Sequence, residues 1–171
     1  MANSVLTQCR SKLVIISIIV LFACKDDQTD FADLEGKPLP SFQLLMTDGK
    51  SHLHTKDIPT NSAFVMILIG PQCPYSKAQI EEITKNISYL SDIPFYVFTP
   101  YPYLEMKQFD LRYQLSKYKN IHVGIDSSNF YGDYMGVFAV PFIAIYDKNK
   151  KLIKAYEGKT SARTIVELVN K

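Results

Sequence analysis

Tryptophan is missing from all 171 residues, and cysteine occurs only three times, as Cys9, Cys24 and Cys73. No two of these stand in a Cys-x-x-Cys pair, so an internal dithiol of that kind is excluded. No apolar run reaches the roughly 20 residues that a membrane-spanning helix needs. Neither sign of charge dominates, with 19 basic against 17 acidic residues, and nothing predicts nucleic-acid binding. A glycine fingerprint for nucleotide phosphates is absent, as are internal repeats and low-complexity segments. The residues call for no cofactor.

The longest apolar run, Leu13 to Ala23, follows Arg10 and Lys12. That order predicts a secretory signal peptide over residues 1–23. Leu21-Phe22-Ala23-Cys24 resembles a bacterial lipobox, which implies cleavage before Cys24 and a lipid on that residue. A signal anchor, or plain cleavage near Ala23, are the alternatives. Removing residues 1–23 takes away Arg10 and Lys12 and no acid, so seventeen side chains of each sign remain. It also takes away Cys9. With Cys24 lipidated, Cys73 is the one free thiol, and although an exported compartment permits disulfides, the chain could close none within itself. The implied location is the bacterial cell envelope, tethered to a lipid membrane through Cys24. Residues 24–39 are polar and end in Pro38-Leu39-Pro40, which predicts a flexible tether. The run Lys25-Asp26-Asp27 resembles a signal for the outer cell surface, and reads equally as a solvated linker. Residues 40–171 suffice for one domain with a sizeable core.

Along that domain, Thr47-Asp48-Gly49-Lys50 between Ser41–Met46 and Ser51–His54 predicts a hairpin. Phe64–Ile69 is continuously apolar and suits a central strand covered on both faces. Ile80, Ile83, Ile87 and Leu90 recur at helical spacing over Ser76–Leu90. Strands are predicted at Phe95–Thr99 and Ile121–Ile125, with a helix over Tyr103–Tyr118 between them. A weaker helix, broken by Gly132 and Gly136, spans Ser128–Phe138. Phe142–Tyr146 and Lys151–Tyr156 flank Asp147-Lys148-Asn149-Lys150 as a second hairpin, and Ser161–Val169 closes the chain as a helix. Alternating strands and helices predict an α/β fold with a central mixed sheet and helices on both faces.

Cys73 lies in Pro71-Gln72-Cys73-Pro74-Tyr75-Ser76, between the apolar strand and the helix. The start of a helix offers unpaired N–H groups and a partial positive charge, a setting that favours an ionised sulfur. A buried structural cysteine is the alternative.

These segments resemble the thioredoxin superfamily, in particular its TlpA/ResA-like redoxin branch of membrane-tethered thiol–disulfide oxidoreductases. The likeness is carried by Pro40-Ser41-Phe42-Gln43-Leu44 with Asp48-Gly49-Lys50, by Leu68 to Ser76, and by Tyr134 to Phe142 with Ile145-Tyr146-Asp147. It implies a thioredoxin-like fold with an N-terminal hairpin extension and catalysis at Cys73. It further implies a substrate groove at Pro74, Tyr75 and Val140. Pro141 matches the family's cis-proline, which leaves the Val140 backbone to pair with an extended substrate; on the residues alone, a trans proline opening a strand reads as well. Three departures stand out. Ser76 occupies the place of the resolving cysteine, and a hydroxyl cannot expel a mixed disulfide as a thiolate does. Gln72 replaces the tryptophan, and Gln79 replaces an acid that would relay a proton. Glu81 and Glu82 read as solvated helix positions. The peroxiredoxin pattern needs Thr or Ser three residues before the cysteine and Pro seven before; here those are Gly70 and Met66.

The implied function is monothiol exchange, or sulfenic acid reduction, on exported thiol or disulfide proteins. A non-catalytic binding module and a one-cysteine peroxidase are the alternatives. His52 and His54 share one side of a strand, but no third ligand accompanies them, so no metal site is expected. Tyr101 and Tyr103 read as packing, or as a partner groove. Asp126 and Asp133 read as caps or as solvent-facing residues.

Overall fold

The computed structural model describes residues 31–170. The expected signal peptide, Cys24 and the first part of the tether lie outside them. Seven strands form one sheet: β1 (Gln43–Met46), β2 (His52–His54), β3 (Phe64–Leu68), β4 (Phe95–Thr99), β5 (Ile121–Ile125), β6 (Phe142–Tyr146) and β7 (Leu152–Glu157). Their order is β2-β1-β5-β4-β3-β6-β7. β3, β4 and β5 run parallel, while the hairpins β1–β2 and β6–β7 add antiparallel strands at the two sides. β3 is central, and all five of its residues are buried, which is why its sequence is unbroken hydrophobic rather than alternating.

Among the described residues, four α-helices cover the sheet: α1 (Pro74–Lys85), α2 (Tyr103–Tyr113), α3 (Phe130–Met135) and α4 (Ala162–Val169). Odd positions of β3, Val65 and Ile67, pack with Ile80 and Ile83 of α1, Met106 and Phe109 of α2 and Ile165 of α4. Even positions, Phe64, Met66 and Leu68, pack with Tyr131 and Met135 of α3. Helices therefore lie on both faces, three on one and α3 on the other. Alternate side chains of one strand feed two separate cores.

α1 and α2 stop earlier than their apolar spacing predicts. Asn86 sends its side-chain amide to the Glu82 carbonyl, and the chain turns there. Ile87 and Leu90 still pack inward, so the spacing marks the buried side correctly while the backbone has left the helix. Past α2, Asp110 accepts hydrogen bonds from the N–H and hydroxyl of Ser116. Gln114 is left-handed, at φ 51°, and Leu115–Lys117 forms a 3-10 turn.

The expected tether up to Leu39 is corrected over residues 31–39, which pack on the domain. The Phe31 ring meets Phe142 edge-on at 5.1 Å. The Gly36 and Leu39 N–H groups donate to the Leu152 and Lys150 carbonyls, and Leu152 N–H donates to Lys37. β7 is an edge strand, and this segment pairs with the backbone where that strand begins, at Leu152.

Candidate functional site

Cys73 caps α1 in extended backbone, with Pro74 as the first helical residue. Pro74 fits there because its missing N–H would have no helical partner. The sulfur takes no hydrogen bond from the first turn of α1. Its S–H donates instead to the Val140 carbonyl at 3.3 Å. The Val140–Pro141 peptide is cis, and Cys73 is free and partly exposed. The fold thus joins two segments 67 residues apart. Among the described residues, no protein group accepts the Val140 N–H. Pro74 and Tyr75 are exposed on the same turn as Cys73.

Gly70 is the hinge of this arrangement. Its N–H donates to the Ser76 hydroxyl at 3.2 Å. A side-chain carbon on it would sit 3.2 Å from Val140 Cγ2 and 3.3 Å from Cys73 Cβ, so only glycine fits without displacing one of them. Ser76 is fully buried and has structural work, since it anchors the strand exit while Cys73 faces the surface.

Gln79 is also fully buried. Its carbonyl oxygen accepts the Thr160 N–H at 2.7 Å, and its amide donates to the Thr160 carbonyl at 3.1 Å. A neutral amide satisfies both backbone groups where a carboxylate could satisfy only one. Glu82, expected to be merely solvated, pairs with Lys159 at 3.1 Å and accepts the Ala162 N–H. These contacts hold its carboxyl below the usual carboxylate range. Both residues tie α1 to the start of α4.

Next to Val140, whose carbonyl meets the Cys73 sulfur, lies a groove of about 220 Å³ lined by Leu68, Tyr101, Asn129, Val137, Phe138 and Val140 among others. No charged side chain lines it. Tyr101 therefore belongs to this groove, whereas Tyr103 opens α2 and donates its hydroxyl to the Thr47 carbonyl. Phe138 is 89% exposed. The loop that carries it is held by Glu157, whose Oε1 accepts the N–H groups of Phe138 at 2.7 Å and Ala139 at 3.0 Å. Sequence reasoning missed Glu157, because nothing local links it to a loop 18 and 19 residues away.

Asp126 accepts the Tyr131 N–H at the start of α3, a capping contact, whereas Asp133 lies within α3, faces solvent and accepts from the Asn129 side-chain amide. His52 and His54 are both exposed on β2, and no cluster of three metal-ligating side chains occurs among the described residues. No helix among those residues is long and apolar enough to cross a membrane.

No protein-family model matches the sequence, and no curated protein matches it either. Solved structures do share the arrangement. The exposed lipoprotein thioredoxin of Streptococcus pneumoniae superposes with a TM-score of 0.60 at 20% identity, over 77% of this chain and 98% of its own. A secreted disulfide oxidoreductase of Mycobacterium tuberculosis, homologous to DsbE, gives 0.59 at 16% identity over 75% and 92%. A peroxidoxin from Mycobacterium tuberculosis gives 0.66 at 10% identity over 80% and 96%. With the mixed sheet, the helix-capping cysteine and the facing cis-proline, these likenesses establish that the chain has a thioredoxin-like fold.

Proposed function

We propose that this protein is an exported monothiol redox protein of the redoxin branch, acting through Cys73 on thiol or disulfide proteins. The observation that carries the reading is the partly exposed Cys73 sulfur, 3.3 Å from the Val140 carbonyl at the cis-proline. The Cys73 sulfur attacks one sulfur of a partner disulfide and releases its proton to solvent. The partner's S–S bond breaks, and the electron pair leaves on its second sulfur, which then takes up a proton. The product is a mixed disulfide, held along the Val140 backbone. On a partner sulfenic acid the same attack expels water. Ser76 is buried and has no thiol, so a second thiol, from the partner or a small molecule, must attack to release Cys73.

Two of the similar proteins are an exposed lipoprotein and a secreted oxidoreductase, which supports a place outside the cytoplasm. Cys24 would then be the lipid-bearing residue that holds the domain at a membrane. Mass spectrometry of the processed protein tests this; an unmodified N-terminus, or a chain retaining residues 13–23, rejects it.

The functional test is reaction of the purified protein with a peptide disulfide, read by intact mass. The wild type should form a mixed disulfide that persists until a small thiol is added, and Cys73→Ser should form none. A Cys73 inert to both peptide disulfide and iodoacetamide would reject redox work and favour the binding-module reading. Consumption of hydrogen peroxide would favour the peroxidase reading.

A further inference from the structure

We propose that Glu157 is a positioning residue that clamps the loop at residues 137–140, and that the loop's Phe138 selects partner segments carrying an apolar side chain beside the reactive sulfur. This rests on the redox reading above. The support begins with the loop's backbone. Val137 N–H donates to the Gly132 carbonyl, Phe138 and Ala139 N–H groups donate to Glu157, and the Val140 carbonyl takes the Cys73 S–H. The Pro141 carbonyl takes the Gly158 N–H at 2.8 Å. Every residue from 137 to 141 therefore has a backbone group held in place. Phe138 is thus an aromatic ring in water on a fixed base, rather than the tip of a free loop.

Glu157 is suited to this role by where β7 ends. It is the last residue of the strand and stands opposite Phe142 in the register with β6, directly beside the cis-proline. Two successive N–H groups on one carboxylate oxygen make charge-assisted hydrogen bonds, stronger than neutral ones. The clamp fixes the Val140 carbonyl that meets Cys73 and the ring that stands next to it. A ring already fixed in place loses little freedom when a partner covers it. The groove it borders carries no charged lining residue. An acidic partner side chain would lose its hydration there with no cation among the lining residues, whereas an apolar one gains from burial.

The test uses the full protein and two synthetic peptides, each a mixed disulfide of one cysteine with the same leaving thiol. One carries Phe next to that cysteine and the other carries Asp. The readout is the rate of Cys73 adduct formation, with hydrogen exchange at the Phe138 and Ala139 amides measured in parallel. The wild type should prefer the Phe peptide roughly tenfold, the scale of one partly buried apolar side chain. Phe138→Ala should reduce that preference to about twofold. Glu157→Ala should do the same and should speed exchange at both amides. Glu157→Gln keeps an acceptor oxygen and should restore both preference and protection, which a loss of bulk stability would not explain.

Equal rates with the two peptides in the wild type overturn the selection. Retained preference and slow exchange in Glu157→Ala overturn the clamp. If the wild type reacts with neither peptide, the redox reading fails and selection falls with it, while the exchange comparison still decides the clamp. If Glu157→Ala does not fold, Phe138→Ala decides the selection, and Glu157→Gln with fast amides would refute the clamp.

Discussion

Gln79 permits the sharpest test of how this site departs from a dithiol enzyme. Replacing Gln79 with Ala removes both hydrogen bonds to Thr160, a residue that is itself buried. Each buried backbone group left without a partner costs about 1–3 kcal/mol. Water entering the vacated space offsets part of that, so the net loss should be about 2–4 kcal/mol. At 2–4 °C per kcal/mol for a domain of this size, the melting temperature should fall by roughly 4–16 °C. Gln79→Glu probes the same contacts electrically. A protonated carboxyl can copy the amide, donating to the Thr160 carbonyl and accepting its N–H. An ionised one sets a charge against that carbonyl, near the Glu82 carboxylate already engaged with Ala162. The folded state therefore holds the new proton more tightly than the unfolded chain does. Stability should be close to wild type at acid pH, and should fall as pH rises through the raised folded value. Thermal denaturation of the three proteins at pH 5 and pH 8 measures both effects. A Gln79→Ala shift under about 2 °C, or a Gln79→Glu variant as stable as wild type at pH 8, would refute the reasoning.

Ser76→Cys should restore Cys-x-x-Cys spacing and allow an internal disulfide with Cys73, detected as a mass loss and by thiol titration; insulin reduction should rise above wild type yet stay limited, because Gln79 cannot relay a proton. Efficient multiple-turnover insulin reduction by the wild type without added thiol would contradict the monothiol argument. Gly70→Ala should displace the Val140 or Cys73 side chain and lower the alkylation rate of Cys73 or change its adducts, since the new carbon meets atoms at 3.2 and 3.3 Å. His122 stacks on Tyr96 at 4.9 Å, and burial holds its imidazole below the ordinary 6.5. The unfolded chain then binds the proton first, so stability should fall as pH drops from 6.5 toward the lower folded value. His122→Phe should flatten that slope in denaturant titrations between pH 5 and 7.5; an unchanged slope assigns it to other groups.

The sequence by itself determined much of the fold, because periodicity reports burial directly. Phe64–Leu68 had to be central, since an unbroken apolar strand needs cover on both faces. Asp48-Gly49 set the first hairpin, and the strand-to-helix step at Cys73 set the place of the thiol. Where α1 and α2 end was not legible in the same way. The Asn86 side chain bonds back to Glu82 where α1 ends, the Asp110 carboxylate holds Ser116 in the turn beyond α2, and the apolar spacing runs on past both. Tertiary structure alone decided what stands around the sulfur. Val140 reaches Cys73 from 67 positions away, Thr160 reaches Gln79 from 81, and Glu157 reaches the Phe138 loop across a whole hairpin. Such pairs leave no local pattern, because β6 and β7 bring them together only once the sheet has closed. The same is true of residues 31–39: their composition reads as a solvated linker, and only the folded β6–β7 hairpin gives them a place to bind, at Phe142, Lys150 and Leu152.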